Sequence, residues 1–367
     1  MAPGSVGSDV VSRAVATAPV RVADVGGWTD TWFGSPGQVC NLAVGPGVTV
    51  EASLVEAPID RADFPLRIIA PMLLEDYRCG PSADHGWRWP VPDRQPLLEQ
   101  AAASVLESVV IPAGLSVELT ISSAVPAGAS LGTSASVVVA LLGALDGLFS
   151  RQRSAEEVAA GAHAVETTRA RRESGVQDQW AAALGGCALL AVGPYPDVRR
   201  QPVKLPPSAE AEIAERLVTV VFGPHDSSAV HASVIDAMVG CGGAAHDRTR
   251  AALSRLSALA GDAAEALSAG AVDTWAEVLT AGTEGQRALH PSLVGAAHTA
   301  AIAVAAAQGA SGWKVNGAGG DGGSLSVVAA DGDAADALRL ALARVDPSWL
   351  VVDLTPAPGL DVVTVWT

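Results

Sequence analysis

The stretch Pro126–Ser136, PAGASLGTSAS, constrains this chain more than any other. Before it lies LSVELTISS, which alternates as a strand does; after it, Val137, Leu141, Leu145 and Leu148 recur at helical spacing. A period-two strand must therefore become a buried helix across a few small residues. A glycine-bearing turn does this without strain, and it leaves the first N–H groups of the helix without partners inside the helix. Two readings follow. In one, Gly128 and Gly132 permit the turn and Ser134 caps the helix. In the other, the free N–H groups and the positive end of the helix dipole cradle a phosphate, with a nearby hydroxyl on Mg2+. No G-K-[ST] follows, so this is not a Walker A loop.

An anionic ligand would need such a local field, because the chain as a whole repels anions. Its 39 acidic and 23 basic side chains give a formal charge of −16, which argues against nucleic acid or an anionic membrane surface as partner. At 367 residues and 49% hydrophobic content it has material for a large core and for two domains. Cys40, Cys79, Cys187 and Cys241 lie far apart with no C-x-x-C spacing, which points to buried free thiols in a cytoplasmic protein. The apolar runs Ala135–Leu145 and Leu293–Ala310 are too short or too weakly hydrophobic to span a bilayer.

Along the chain, residues 1–17 read as a disordered terminus without the pattern of a signal peptide. Strands are expected over Ala18–Asp30 (ending in a Gly-Gly turn), Val39–Glu56 (broken by G-P-G), LRIIA, CALLAV and Arg216–Gly223. Ser154-Ala-Glu-Glu157 has the capping-box pattern, so a helix should run from about Ala155 to about Arg169. GVQDQWAAALGG reads as a loop, and the proline-rich Pro194–Pro207 as a domain boundary. Ala-rich helices are expected between Val230 and Ala310, then a glycine loop between two short strands, a helix over Asp333–Arg344 and terminal strands. Strands and helices are mixed without regular βαβ units, which predicts an α+β fold.

Three further groups can carry chemistry. Glu166 and Asp178 are twelve residues apart, the first late on a helix and the second in the Gly-bounded loop. One carboxylate can hold a metal while the other positions or deprotonates a hydroxyl; two solvated surface acids are the alternative. Arg21 precedes the turn GGWTD, where Asp30 can accept sugar-type hydroxyls and Trp28 can offer a flat apolar face, although a packed Trp and an ordinary turn also explain it. Finally, GAGGDGG (Gly317–Gly323) lets backbone approach a ligand closely, unless it is simply flexible.

The order of these pieces carries more than each alone. With PVRVADVGGWTD, PAGASLGTSAS, VETTRARRESGVQDQWAAALGG and WKVNGAGGDGGSL in sequence, nearly the whole chain resembles the GHMP kinases of sugars and isoprenoids. The family has P-x-x-x-G-L-G-S-S-A at the central loop and a G-x-G-G-G-G type loop near the C-terminus. The resemblance implies a ribosomal-protein-S5-like N-terminal domain over 18–195 and a ferredoxin-like C-terminal domain over 196–367, with ATP and substrate between them. It places ATP phosphates against Pro126, Gly128, Ser130, Leu131, Gly132, Thr133, Ser134, Ala135 and Ser136, and Mg2+ on Ser134 and Glu166. Asp178, in its G-x-x-D-Q setting, would take or orient the proton of the attacking hydroxyl, and Arg21 would help neutralise the transferring phosphoryl group.

Within the family, GGWTDT resembles L-fucokinase, and GVQDQWAAALGG with VCNLAV is similar to D-glycero-D-manno-heptose 7-phosphate kinase. Both phosphorylate an anomeric C1 hydroxyl. The expected substrate is thus a small sugar or sugar phosphate, met by Gly27, Trp28, Thr29, Asp30, Gln177, Gly317, Gly319, Gly320 and Asp321. Cations for a phosphate already on the sugar could come from Arg169, Arg171 and Arg172, and His225, Ser227 and Ser228 could also touch substrate. The resemblance leaves open a monomer or a homodimer, and a silent sugar- or nucleotide-binding homologue as the competing function. Three departures stand out: Ser130 replaces the first glycine of G-L-G, tolerable if its φ stays negative, Thr133 replaces a Ser, a mild change, and Asp321 puts a carboxylate near the expected phosphates.

Overall fold

The computed structural model describes residues 10–57, 65–81, 94–224, 228–239 and 242–366. Two long strands, β1 (Val10–Val25) and β2 (Gly37–Glu56), pair antiparallel and form the spine. β3 (Leu66–Ala70), β4 (Glu75–Cys79), helix α1 (Pro96–Leu106) and β5 (Leu115–Ser123) follow, and β3 and β5 run parallel. Next come α2 (Thr133–Leu148), α3 (Ala155–Ala164), α4 (Gln177–Leu184), β6 (Cys187–Val192) and β7 (Val198–Val203). The rest is α5 (Pro207–Arg216), β8 (Leu217–Gly223), α6 (Ser228–Val239), α7 (Ala244–Ser268), α8 (Val272–Leu289), α9 (Ala296–Ala307), β9 (Gly312–Val315), β10 (Gly323–Val328), α10 (Gly332–Val345), β11 (Leu350–Val352), β12 (Thr355–Pro356) and β13 (Asp361–Trp366).

The G-P-G interruption of β2 divides its partners: Gly37–Leu42 pairs with β6, and Val48–Glu56 pairs with β5. Pro46 has no N–H to give a ladder, and a Cβ at Gly47 would stand 2.2 Å from the Ala18 carbonyl oxygen, so the strand bends where only glycine fits. The larger sheet runs β13-β1-β2-β5-β3-β4, with β6 and β7 continuing from β2. Helix α2 lies on this sheet and buries Val138, Val139, Leu141, Leu142 and Leu145 against Ala16, Val48, Val50 and Leu119. Each such side chain contributes about 1.5–3 kcal/mol, and small residues on β1 let the helix sit close.

The smaller sheet runs β11-β8-β10-β9, entirely antiparallel. Numbered in chain order its strands lie 4-1-3-2, the ferredoxin-like arrangement, with α6 to α9 between its first two strands.

The structure corrects the reading of the sequence at three places. Val10–Thr17 are not disordered: they open β1 and pair on both sides, Ala14 with Ala52 and with Thr364. The boundary after residue 195 does not separate the sheets, because β7 stays with β6 and the chain returns through β12 and β13 to the first sheet. β7 is a polar edge strand whose Arg199, Arg200 and Pro202 resemble a linker by composition. Lastly, QDQWAAAL is helix α4, so Asp178 stands in a helical first turn. Among the described residues, no helix is long and apolar enough to cross a membrane.

Candidate active site

Where β1, the 126–134 loop, α4 and the Gly317 loop converge, they enclose a cavity of about 540 Å3. At its floor Arg21 makes a two-point contact with Asp178: Nε donates to Oδ1 at 2.8 Å and Nη2 to Oδ2 at 3.2 Å. Arg21 Nη1 donates to the Ser130 carbonyl, and the Arg21 backbone N–H to that of Leu131. Burial works against the Arg21 charge, but the Asp178 and Asp24 carboxylates outweigh it and hold the guanidinium above its usual value. A Cβ at Gly132 would stand 3.2 Å from the Asp178 carboxylate, so glycine there keeps loop and acid in close register.

The loop enters α2 through Gly132 at φ +72°, which is the N-cap. Ser134 is the second helical residue, exposed and making no side-chain cap bond, so it does not cap the helix as one sequence reading had it. Ser134 lines the cavity together with Thr133 and Ser130, and the Thr133 hydroxyl itself is buried. Ser130 departs from expectation: its φ is +58°, in the left-handed region that favours glycine, the residue many members of the resembled family have here. The strain goes with geometry, since this conformation presents the Ser130 carbonyl to Arg21.

The turn before β2 supplies the opposite wall. Asp30 is buried, and its Oδ2 accepts the Gln177 N–H at 3.0 Å. A Cβ at Gly175 would stand 2.1 Å from that oxygen, which explains the glycine ahead of Gln177. Burial pushes the Asp30 carboxyl up to about 6, aided by the nearby Asp178 and Asp24 charges and opposed by the Gln177 hydrogen bond. Trp28, at φ +79°, packs its ring 4.5 Å from that of His231 on α6, and its buried Nε1 has no hydrogen-bond partner among the described residues.

Glu166 comes from the single π turn Val165–Arg169 that ends α3. Such a turn re-aims a side chain by adding a residue to the helix. Its Oε2 accepts from Ser174 Oγ and Gln179 Nε2, both at 2.8 Å, while Oε1 is buried without a partner among the described residues. Burial raises the carboxyl to about 7, the Ser174 bond opposing and the Asp178 charge reinforcing it.

The cavity thus brings together Arg21, Trp28, Asp30, Gly128, Ser130, Leu131, Gly132, Thr133, Ser134, Glu166, Gln177, Asp178 and Gly317. Other expected contacts stand back from its wall. Ser136 is buried and donates to the Pro19 carbonyl at 2.6 Å, fastening α2 to β1. Thr29 donates to the Gly26 and Gln38 carbonyls and shapes the turn from behind, where Gly27 also lies. Pro126 and Ala135 flank the cradle without lining it. Gly319 and Gly320 pack against Leu293, and Asp321 lies beside Gly295 ahead of α9, so its carboxylate is not set against the cradle. Of the three arginines only Arg172 reaches the wall; Arg169 is held by Gln100 and Glu107. His225 and Ser227 lie outside the described residues, and Ser228 opens α6.

The sequence reading missed the apolar end of the cavity: Met72, Leu73, Leu97, Leu98 and Val137, with Gln95 at its edge. They come from the β3–β4 hairpin, the start of α1 and α2, and no short-range pattern joins segments so far apart in the chain. His231 was missed for the same reason.

Residues 97–186, which supply the cradle, Glu166 and Asp178, match the family described as GHMP kinases N terminal domain. Over 98 residues the chain is 36% identical to the mevalonate kinase of Thermococcus sibiricus, a match that covers 27% of this chain and 28% of that relative. The matched part therefore spans less than a third of the curated relative. Among solved structures, a D-glycero-D-manno-heptose 1-phosphate kinase from Bacteroides thetaiotaomicron superposes with a TM-score of 0.71 at 20% identity, over 96% of this chain and 100% of that one. Lactococcus lactis galactokinase complexed with galactose gives 0.74 at 16% identity, covering 95% of each chain. At these identities the likeness establishes the fold, an α+β architecture that extends through both sheets.

Proposed function

We propose that this GHMP fold is an ATP-dependent sugar kinase that moves the γ-phosphate of ATP to the anomeric C1 hydroxyl of a sugar. The observation that carries the reading is the pairing of buried Arg21 with partly exposed Asp178, which stands where the glycine cradle, the Asp30 turn and the Gly317 loop meet. The apolar end of the cavity suits an adenine ring, and the helix start at Thr133 suits the phosphates. Asp30, with one oxygen turned to the Gln177 N–H, can accept a sugar hydroxyl, and the unpartnered Trp28 Nε1 can donate to one.

The site also fits Mg2+, because Glu166 offers a buried carboxylate oxygen without a partner and Ser134 an exposed hydroxyl on the same wall. When bound there, the ion would neutralise charge on the phosphates. Asp178 would accept the proton of the attacking hydroxyl while Arg21 stabilises negative charge on the transferring group. For the acceptor we favour a D-glycero-D-manno-heptose 7-phosphate-type sugar. Arg172 on the cavity wall supports a substrate that already carries a phosphate.

The test is ADP release with ATP, Mg2+ and a panel of hexoses, deoxyhexoses and heptose 7-phosphates. Turnover on one of them, strongest with a phosphorylated heptose, is expected. Nucleotide binding without turnover on any sugar would instead support the silent binding homologue.

A further inference from the structure

We propose that Asp24 is a positioning residue that locks Arg21, the Gly26–Asp30 turn and the Gly317 loop into one register. The inference rests on the kinase reading for its consequence in turnover, while its structural content stands apart from it.

Asp24 lies three residues beyond Arg21 on β1 and is fully buried, without lining the cavity. A bulge between Val22 and Val25 and the left-handed backbone of Ala23 (φ +55°) break the alternation of β1 there. Bulges of this kind re-aim side chains. The Asp24 carboxylate reaches three elements. Its Oδ1 accepts the Gly317 N–H at 2.9 Å and stands 3.9 Å from Arg21 Nη1. Its Oδ2 would stand 2.8 Å from a Cβ at Gly27, which accounts for that second glycine of the turn.

The glycine loop is gripped from the other side as well. Gln286 Nε2 on α8 donates to the Gly317 carbonyl at 2.8 Å, and Gln286 Oε1 accepts from Lys314 Nζ at 2.8 Å. Lys314 is buried and also donates to the Val315 carbonyl. Burial lowers its ammonium to about 8; the Asp24 charge opposes that fall and the Arg21 charge adds to it. One carboxylate thus lies beside the Arg21 cation, while buried Lys314 is linked to it through Gln286 and the Gly317 loop.

A buried ionic group of this kind is a weak source of stability, because desolvation offsets most of the Coulomb attraction. It does fix geometry. With Asp24 in place, Arg21 is held on the Nη1 side by Asp24 and Ser130 and presents Nε and Nη2 to Asp178. A displacement of about 1 Å in such a group costs on the order of a hundredfold in rate.

Asp24→Asn keeps the shape and the acceptor for Gly317 N–H but removes the charge. The first readout needs no substrate: the Arg21 Nε–H resonance in 15N-labelled full-length protein, assigned by its loss in Arg21→Lys. In the parent it is expected downfield and slow to exchange; in Asp24→Asn it moves upfield or broadens. The second readout is kinetic: kcat falls about tenfold or more while KM for ATP stays within about twofold. The pair Asp24→Asn with Lys314→Met removes both charges, so it should recover the thermal midpoint without recovering the resonance or kcat. An unchanged resonance in Asp24→Asn, or recovery of kcat with stability in the double variant, would overturn the proposal. If no sugar is turned over, the kinase reading fails and the resonance alone decides this one. Should Asp24→Asn not fold, Gln286→Met releases Gly317 at its carbonyl and must shift the same signal, or the proposal falls.

Discussion

Asp178 and Arg21 are paired across 157 residues of sequence, and replacing the carboxylate tests the role proposed for the pair. Asp178→Asn should leave ATP affinity within a few-fold, measured by calorimetry, and cut turnover by about a thousandfold or more. A second residue-scale expectation concerns Asp30, whose carboxyl is raised to about 6 by burial. A carboxyl with a folded value above its unfolded one favours the fold when protonated, and that advantage is lost as pH rises from about 4 through 6. Asp30→Asn should therefore add about 1–3 kcal/mol at pH 8 and much less at pH 4 by denaturant unfolding, while weakening sugar binding. Ser130 at φ +58° gives a third: Ser130→Gly should raise stability by about 1 kcal/mol.

At the scale of elements, the central loop and α2 show what sequence could and could not say. Its residues foretold the strand, the glycine turn and the buried helix, because apolar spacing and glycine are local signals. They did not foretell which of these residues line the cavity. Thr133 and Ser134 line the cavity while Ser136, two residues on, is turned to the Pro19 carbonyl by its place on the helix. Ser136→Ala should accordingly cost about 1–2 kcal/mol of stability in thermal or denaturant unfolding with KM for ATP unchanged. The capping box at Ser154–Glu157 was equally legible and is present in full. The π turn that delivers Glu166 was not, since VETTR carries no helix breaker. Nor was α4, where two flanking glycines made an eight-residue helix look like loop.

For the molecule as a whole, the motif order pointed to the fold that the solved neighbours share, whereas the path of the chain between its two sheets escaped. The composition of Pro194–Pro207 suggested a clean boundary, yet the chain crosses back at residue 355 and closes the first sheet with β13 against β1. That return covers α2 as well: a Cβ at Gly143 would meet Leu360, and one at Gly147 would meet Val362. Ending the chain before Thr355 should thus lower the thermal midpoint of the N-terminal half, although the removed residues belong to the far end of the sequence. The apolar end of the cavity, assembled from β3–β4, α1 and α2, is likewise a property of the assembled fold.

The site account stands or falls on where the phosphate goes. The decisive measurement is 31P and 1H NMR of the product formed from ATP and the best sugar of the panel. The account predicts a phosphorus coupled to the anomeric proton, formed by the parent and absent with Asp178→Asn. Phosphate on another carbon, transfer to water alone, or an undiminished product with Asp178→Asn would contradict it.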